Sequence, residues 1–204
     1  MLGHTIHDET RSKVAAPRHD HRGQRSPVPC RDNGHAMTSA ELLAESFGRI
    51  RDIVHRVANG LSRSELADRL DREANSIGWL IWHLARIQDD HIAAVAGTEQ
   101  VWTSSGWEER FGLTLEAAET GFGHTPDQVA AVIVDAEPLR DYYDAVHAAT
   151  LDYVAHLTDA DLDRIVDERW DPPVTLGVRL VSIIVDDLQH AGQAAYIRGI
   201  LERR

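Results

Sequence analysis

From Met37 onward, apolar residues recur every three or four positions, and this spacing constrains the fold more than any other feature of the chain. Such a repeat places the apolar side chains on one face of an α-helix. It predicts four long helices, over about 39–58, 77–96, 137–157 and 175–201, and a short helix that starts near Thr158. No segment alternates apolar and polar residues as a half-buried strand does. The sequence therefore predicts an all-α fold, a four-helix bundle.

The connection between the second and third predicted helices is long and rich in glycine and aromatic residues. Between Gly97 and His124 it contains five glycines and four of the chain's 12 aromatic residues, namely Trp102, Trp107, Phe111 and Phe122. Connections longer than about 12–15 residues are uncommon in compact domains and are often functional. Two roles stay open at this point. The aromatic residues either close one end of the bundle or form the wall of a substrate pocket there.

Residues 1–36 have a composition that cannot build a hydrophobic core. They hold five of the 12 histidines, the only lysine and the only cysteine, and they lack tryptophan, tyrosine and phenylalanine. We interpret 1–36 as a disordered tail and 37–204 as the folded domain. An alternative is that translation starts at Met37. The pairs His4/His7 and His19/His21 allow loose metal binding as an alternative to solvated disorder.

The charge and cysteine content exclude several classes of function. A net charge of −12 opposes contact with nucleic-acid phosphates or an anionic membrane. No apolar run approaches the roughly 18–20 residues of a membrane span, and the N-terminus lacks the apolar centre of a secretory signal. One cysteine excludes an intrachain disulfide and leaves histidines and carboxylates as metal ligands. We therefore expect a cytoplasmic protein with a small-molecule substrate and without nucleic-acid or membrane partners.

Candidate metal ligands lie on the second and fourth predicted helices. His83 lies in a strongly apolar segment, and Asp186 and His190 are four residues apart, which places them on one helical face. We expect this face to turn inward, on a stripe shared with Val178, Ser182, Gln193 and Ile197. A carboxylate in the interior is costly unless it is paired or bound to a cation.

Helical bundles build metal sites from inward-pointing histidines and carboxylates on facing helices. Three protein ligands, His83, Asp186 and His190, would leave positions on a divalent ion for water or substrate. The spacing leaves open an alternative, an ion pair of Asp186 with either histidine and no metal. His91 lies about 12 Å along the helix from His83, so we assign it to a pocket mouth or to the surface.

At these positions the sequence resembles the DinB superfamily, and within it the actinobacterial branch related to mycothiol-dependent enzymes such as maleylpyruvate isomerase. The resemblance covers 37–204 and is carried by Ile77-Gly-Trp-Leu-Ile-Trp-His83, Arg86-Ile-Gln-Asp-Asp-His91, Gly106-Trp-Glu-Glu-Arg-Phe-Gly, Thr120-Gly-Phe-Gly-His124, Pro173-Val-Thr-Leu-Gly-Val-Arg-Leu and the segment after His190. It implies a four-helix bundle in which His83, Asp186 and His190 hold zinc, nickel or iron. The middle ligand is usually histidine in that superfamily, and Asp186 departs from this pattern.

The resemblance also implies that the metal lowers the pKa of a bound thiol or water. Because the predicted core lacks cysteine, the thiol would come from a small molecule such as mycothiol. One lysine against 20 arginines indicates a GC-rich genome, which suits an actinobacterial source. We expect Arg86, His91 and Gln193 to contact this cofactor. Arg86 or Arg179 could bind a cofactor carboxylate, and an ordinary salt bridge is the alternative for each.

The sequence is compatible with three functions. The first is a metal- and thiol-dependent S-transferase or isomerase, and the second is a metal-dependent hydrolase that uses water in the same open position. The third is a non-catalytic bundle, stabilised by metal or by ion pairs, that acts through an oligomer interface. We expect a homodimer.

Overall fold

A computed structural model of the protein describes residues 36–204. The tail predicted for 1–36, with its histidine pairs and Cys30, lies outside the described residues apart from Ala36. Residues 37–204 form one compact unit. Among the described residues, no helix is long and apolar enough to cross a membrane.

The described residues form eight α-helices, one 3₁₀ turn and a two-stranded antiparallel hairpin. In chain order they are α1 (Ser39–Ala58), α2 (Arg63–Ala67), α3 (Ile77–Ala96), α4 (Val101–Ser104), α5 (Trp107–Phe111), α6 (Pro126–Ala131), α7 (Ala136–Ala155), the 3₁₀ turn (Asp159–Asp163), β1 (Ile165–Asp167), β2 (Val174–Thr175) and α8 (Leu176–Leu201).

Four long helices, α1, α3, α7 and α8, form the bundle, and this confirms the predicted fold class. Both α1 and α3 pack against α7 and α8, so α1 and α3 lie on opposite corners. Local sequence explains the ends of the helices. The side chains of Thr38, Ser76 and Thr175 accept hydrogen bonds from the first turns of α1, α3 and α8. Gly97, in the left-handed conformation, ends α3.

The inward face of α8 differs from the stripe that we predicted. Leu180, Ile183, Asp187 and Ala194 are buried, whereas Val178, Ser182 and Gln193 are exposed. The large apolar side chains set the rotation of the helix, and they place Asp186 and His190 at the edge of the buried face. Only Ile197 of the predicted apolar partners is buried. Asp186 and His190 therefore lie beside the core, whereas His83 on α3 is buried.

The crossover after α3 is more ordered than a loop, because it contains α4 and α5 and leads into α6. Three of its four aromatic residues take the first of the two roles that the sequence left open. Trp102, Trp107 and Phe111 surround Tyr142 of α7, with ring centroids 5.1–5.8 Å from it, and close one end of the bundle. Phe122 is 89% exposed and takes no part in that packing.

The short hairpin before α8 is a small addition to the all-α fold that the sequence did not predict. β1 and β2 pair through Ile165 with Thr175 and Asp167 with Val174. Strands of three and two residues are too short to show an alternating pattern in the sequence. The hairpin lies against α8, and its first strand ends at Asp167.

Candidate metal centre

The structure brings His83 of α3 together with Asp186 and His190 of α8. Each residue offers one ligand atom, and these three atoms all lie within 4.8 Å of one another. The Asp186 carboxylate oxygens are 4.0 Å from His83 Nε2 and 3.6 Å from His190 Nε2. Because α3 and α8 are neighbours in the bundle, their facing sides supply the whole cluster. The ligand set that the sequence predicts is thus convergent in space.

Each histidine is oriented by a hydrogen bond at its second ring nitrogen. His83 Nδ1 lies 2.5 Å from the Thr120 carbonyl oxygen, which can only accept, so Nδ1 carries the proton. His190 Nδ1 lies 2.9 Å from Gln193 Oε1, which is also an acceptor. Both Nε2 atoms are therefore left as free lone pairs directed toward Asp186. Such partners fix the tautomer and the ring orientation of histidines that bind metals.

The charges of the three groups differ. Burial lowers the pKa of His83 and favours its neutral form, whereas the nearby Asp186 carboxylate raises the pKa of His190. For Asp186, burial acts to raise the pKa, but His190 and His83 together bring it below its usual value. Asp186 is therefore ionised at neutral pH. Its Oδ2 atom is buried and has no hydrogen-bond partner among the described residues.

These features fit a divalent cation. A buried, ionised carboxylate oxygen without a hydrogen-bond donor is costly unless a cation or another charge compensates it. Two imidazole nitrogens and one carboxylate are a common ligand set for catalytic zinc. Three ligands on two helices also leave the remaining coordination positions free for a small molecule.

A short segment of the crossover, Glu119–His124, encloses His83 on its inner side. Thr120 supplies the carbonyl described above, and Gly121 lies against the imidazole with φ of +95°. A Cβ atom at Gly121 would lie 2.7 Å from His83 Nδ1 and 3.1 Å from the rings of Trp79 and Trp82. Only glycine allows the backbone to approach His83 so closely.

Trp79 connects this segment to the other face of the His83 ring. The two rings are stacked with centroids 4.6 Å apart. Trp79 Nε1, which can only donate, lies 3.2 Å from His124 Nδ1, and His124 Nε2 lies 2.9 Å from Glu119 Oε2. The proton of His124 is therefore on Nε2 and is donated to Glu119. This chain of contacts holds the tryptophan that packs against His83.

The residues that we expected to contact a cofactor are placed differently. Arg86 is fully buried and donates to the carbonyls of Glu119 and Ala117 and to Gln100 Oε1, so it holds the crossover in place. Gln193 orients His190, as described above, and this contact gives it a role in positioning a ligand.

His91 and Arg179 lie together on a neighbouring cavity. His91 is 3.6 Å from Asp90 and outside the cluster of three ligands. Arg179 forms the salt bridge that was the alternative for it, at 3.0 Å from Asp167. Both residues line a cavity beside β1.

Sequence reasoning missed two features of this region. The first is the role of the segment from Glu119 to His124, for which the signal was a histidine next to a Gly-Phe-Gly turn together with a buried His83 that needed a partner. The second is Asp187, which is 0% exposed, has no hydrogen-bond partner among the described residues, and whose pKa is raised well above its usual range by burial. Burial without a donor thus favours the protonated form of Asp187, and nothing in the sequence distinguishes it from Asp186.

Comparison with known proteins places the fold and the site in context. A conserved protein from Enterococcus faecalis is 33% identical, with 83% of this chain and 100% of that chain covered and a TM-score of 0.77. A DinB-like protein from Bacillus cereus has the same fold, with 17% identity, coverage of 80% of this chain and 92% of that chain, and a TM-score of 0.52. No curated protein matches this chain.

The sequence profile of the DinB superfamily, which is in general metal-binding, matches residues 46–194. This range includes His83, Asp186 and His190, together with the crossover that encloses His83. The chain therefore belongs to the DinB superfamily.

Proposed function

We propose that this protein is a divalent-metal enzyme that activates a low-molecular-weight thiol, such as mycothiol, for S-transfer or isomerisation of a small electrophile. The observation that carries the proposal is the convergence of His83, Asp186 and His190, with an ionised Asp186 whose Oδ2 atom has no donor among the described residues. Zinc, nickel or iron would be held by these three residues. When bound, such an ion lowers the pKa of a thiol or water and so supplies a nucleophile at neutral pH.

The chain's own residues prepare the site in three ways. Thr120 and Gln193 keep the protons of the two imidazoles on Nδ1, so that both Nε2 atoms are available. Trp79 and Gly121 close the inner side of His83 and exclude water from it. Asp186 and His190, at the edge of the buried face of α8, leave the outer side accessible to a small molecule.

Small-molecule thiol chemistry is supported by the donor set and by the lack of a cysteine among the described residues. Cys30 lies far from the metal candidates in sequence and outside the described residues. A thiolate is a ligand that zinc and similar metals accept readily. The composition, with one lysine against 20 arginines, supports mycothiol as the thiol.

The experiment measures metal per chain by elemental analysis for wild type, Asp186→Ala and His190→Ala, and helicity by circular dichroism for all three. We expect metal in the wild type and a loss of more than about a hundredfold in affinity in each variant, because two ligands remain. Helicity should not change. Wild-type metal content in the variants would refute the site.

Incubation of the metal-loaded wild type with a thiol and an electrophile then separates the chemistries. S-transfer consumes one thiol for each product, and isomerisation requires the thiol without consuming it. Turnover of an ester or amide without thiol would replace the proposal by a hydrolase.

A second candidate, a non-catalytic bundle that acts as a homodimer, is favoured by one surface. Val178, Val181, Val185 and Leu188 of α8 are exposed and follow the 3-4-3 spacing of a helix that packs on another helix. A wild-type protein that holds no metal after reconstitution with zinc, nickel or iron, yet is dimeric by light scattering, would support this candidate.

A further inference from the structure

A cavity of about 540 Å³ lies between α3, the hairpin and α8. Its volume is in the range of small-molecule sites. It is lined by Asp90, His91, Arg164, Asp167, Arg169 and Arg179, among other residues. Besides these three arginines, the lining contains three carboxylates, on Asp90, Asp167 and Glu168. None of the three metal candidates lines it, so it is a separate site.

Helix geometry places this cavity beside the metal centre. Arg179 precedes Asp186 by seven residues, which is two helical turns, so both lie on the same face of α8 about 10 Å apart. His91 lines this cavity together with Arg179, and it is near enough to Asp186 for that carboxylate to affect its pKa. A small molecule that contacts the metal centre can therefore extend past His91 to Arg179.

Arg179 has hydrogen-bonding capacity left for a ligand. Its side chain is 18% exposed, and its Nη2 atom donates to Asp167 Oδ2 at 3.0 Å. Among the described residues, its Nε and Nη1 atoms donate to no partner. A guanidinium binds a carboxylate through two parallel N–H···O bonds, and this arrangement is both strong and specific.

The charge of Arg179 is only partly compensated by the protein. Asp167 is shared, because Arg169 donates to both of its oxygens, at 2.9 and 2.8 Å. These three residues together carry one net positive charge. Of the other acidic residues that line the cavity, Asp90 accepts a hydrogen bond from Gln100 and Glu168 is exposed. Arg164 adds a further positive charge.

We propose that this cavity binds the carboxylate of a small molecule whose other end reaches the metal centre, with Arg179 as the residue that binds the carboxylate. The proposal rests on the proposed metal centre and deepens it by naming the chemical class of the ligand: an acid whose carboxylate is separated from its metal-binding group by a short chain. Arg169 holds Asp167, and Asp167 holds Arg179 in position.

The experiment uses the full chain loaded with Co²⁺ and two ladders of straight-chain thiols of increasing length. One ladder ends in a carboxylate and the other in a hydroxyl, and the thiolate–cobalt absorption band gives the dissociation constant of each. At one intermediate length, we expect the carboxylate to bind about tenfold more tightly than the alcohol. Arg179→Gln should abolish this preference while leaving the affinity for the alcohols unchanged.

Two further variants make the result decisive. Arg164→Gln also removes one positive charge from the lining of the cavity, and it should keep most of the preference for the carboxylate because Arg164 does not contact Asp167 or Arg179. Arg179→Lys keeps the charge without the two parallel donors, so it should retain only part of the preference, and it replaces Arg179→Gln if that variant does not fold. Equal binding of carboxylates and alcohols in the wild type, or an equal preference in wild type and Arg179→Gln, would overturn the proposal.

A second arm, with metal-free protein and glutarate, separates failure of the carboxylate site from failure of the metal centre. Isothermal titration should show weak binding to the wild type that Arg179→Gln removes. If Co²⁺ does not bind, the metal centre and its link to the cavity are refuted, and the glutarate titration still decides whether Arg179 binds carboxylates. Glutarate binding that is equal in both proteins would overturn that assignment.

Discussion

Two carboxylates, the buried Asp89 on α3 and the half-buried Asp186 on α8, are surrounded in opposite ways. Asp89 accepts hydrogen bonds from the backbone amides of Val101 and Trp102, each at 2.8 Å, and from the Tyr142 hydroxyl at 2.9 Å. Among the described residues, the ion-pair partners of Asp186 are the two histidines, at 3.6 and 4.0 Å, and one of its oxygens is buried without a hydrogen bond. The protein therefore donates hydrogen bonds to both oxygens of Asp89, whereas it donates none to Oδ2 of Asp186.

This difference separates a structural carboxylate from a ligand. The hydrogen bonds of Asp89 fix the start of α4, so they order the crossover that later delivers Thr120 to His83. For such a group, every oxygen is occupied by a donor of the protein. A ligand must keep a lone pair free in a region without competing donors, and Asp186 meets that condition.

The largest expected effect is the difference in the free energy of unfolding between the variants Asp89→Ala and Asp186→Ala. Asp89→Ala should lower the free energy of unfolding by about 3 kcal/mol or more, because it leaves two backbone amides and the Tyr142 hydroxyl unpaired in the interior. Asp186→Ala should change it by less than about 1 kcal/mol in metal-free protein, because no hydrogen bond to its Oδ2 is lost. Urea denaturation of both variants without metal measures the difference. Similar losses of stability in the two variants would contradict the distinction.

A smaller effect, on metal affinity, is expected at Gly121, where the crossover lies against His83. Gly121→Ala should weaken metal binding about tenfold, because its Cβ atom would displace the His83 ring that it contacts at 2.7 Å. Gly123→Ala is the matched control. Gly123 also has a positive φ, of +74°, so an alanine there causes similar backbone strain. The added Cβ atom, however, would have no other atom within 4 Å. Competition with a metal-sensitive dye gives both affinities, and equal losses would show that backbone strain alone is responsible.

The sequence predicts the bundle well because helical spacing is a local property. The predicted bounds 39–58 and 77–96 agree with α1 and α3, and those of α7 and α8 agree within about two residues. The metal candidates were found because the i, i+4 spacing of Asp186 and His190 is also local. The predicted rotation of α8 about its axis was wrong. This rotation depends on which apolar side chains pack best against α1 and α3, and the spacing of apolar residues alone does not determine that choice.

The surroundings of the site could not be predicted for a related reason. Thr120, Gly121 and His124 reach His83 across about 40 residues of chain, and the path depends on hydrogen bonds that Arg86 and Asp89 make to backbone groups. Backbone acceptors and donors have no signature in a sequence. For the same reason, Arg86 looked like a residue that binds a cofactor, although its guanidinium holds carbonyls of the crossover.

The smallest expected effect concerns a third carboxylate, Asp144 of α7, which lies between the two extremes. It is partly exposed, and it accepts hydrogen bonds from Arg51 Nε and from His55 Nε2, each at 2.7 Å, that join α7 to α1. Burial acts to raise the pKa of Asp144, but these partners bring it below its usual value. Because the pKa is lower in the folded state, the stabilisation is complete above the usual aspartate pKa of about 4 and is lost as the pH falls through the lowered value.

Asp144→Asn should therefore lower the free energy of unfolding by about 1 kcal/mol at pH 7. The difference from wild type should shrink below about pH 4, and 1 M salt should reduce it at pH 7, because this pair is reached by solvent. Denaturation at several pH values measures it, and a difference that does not change with pH would mean that Asp144 acts through packing and not through its charge.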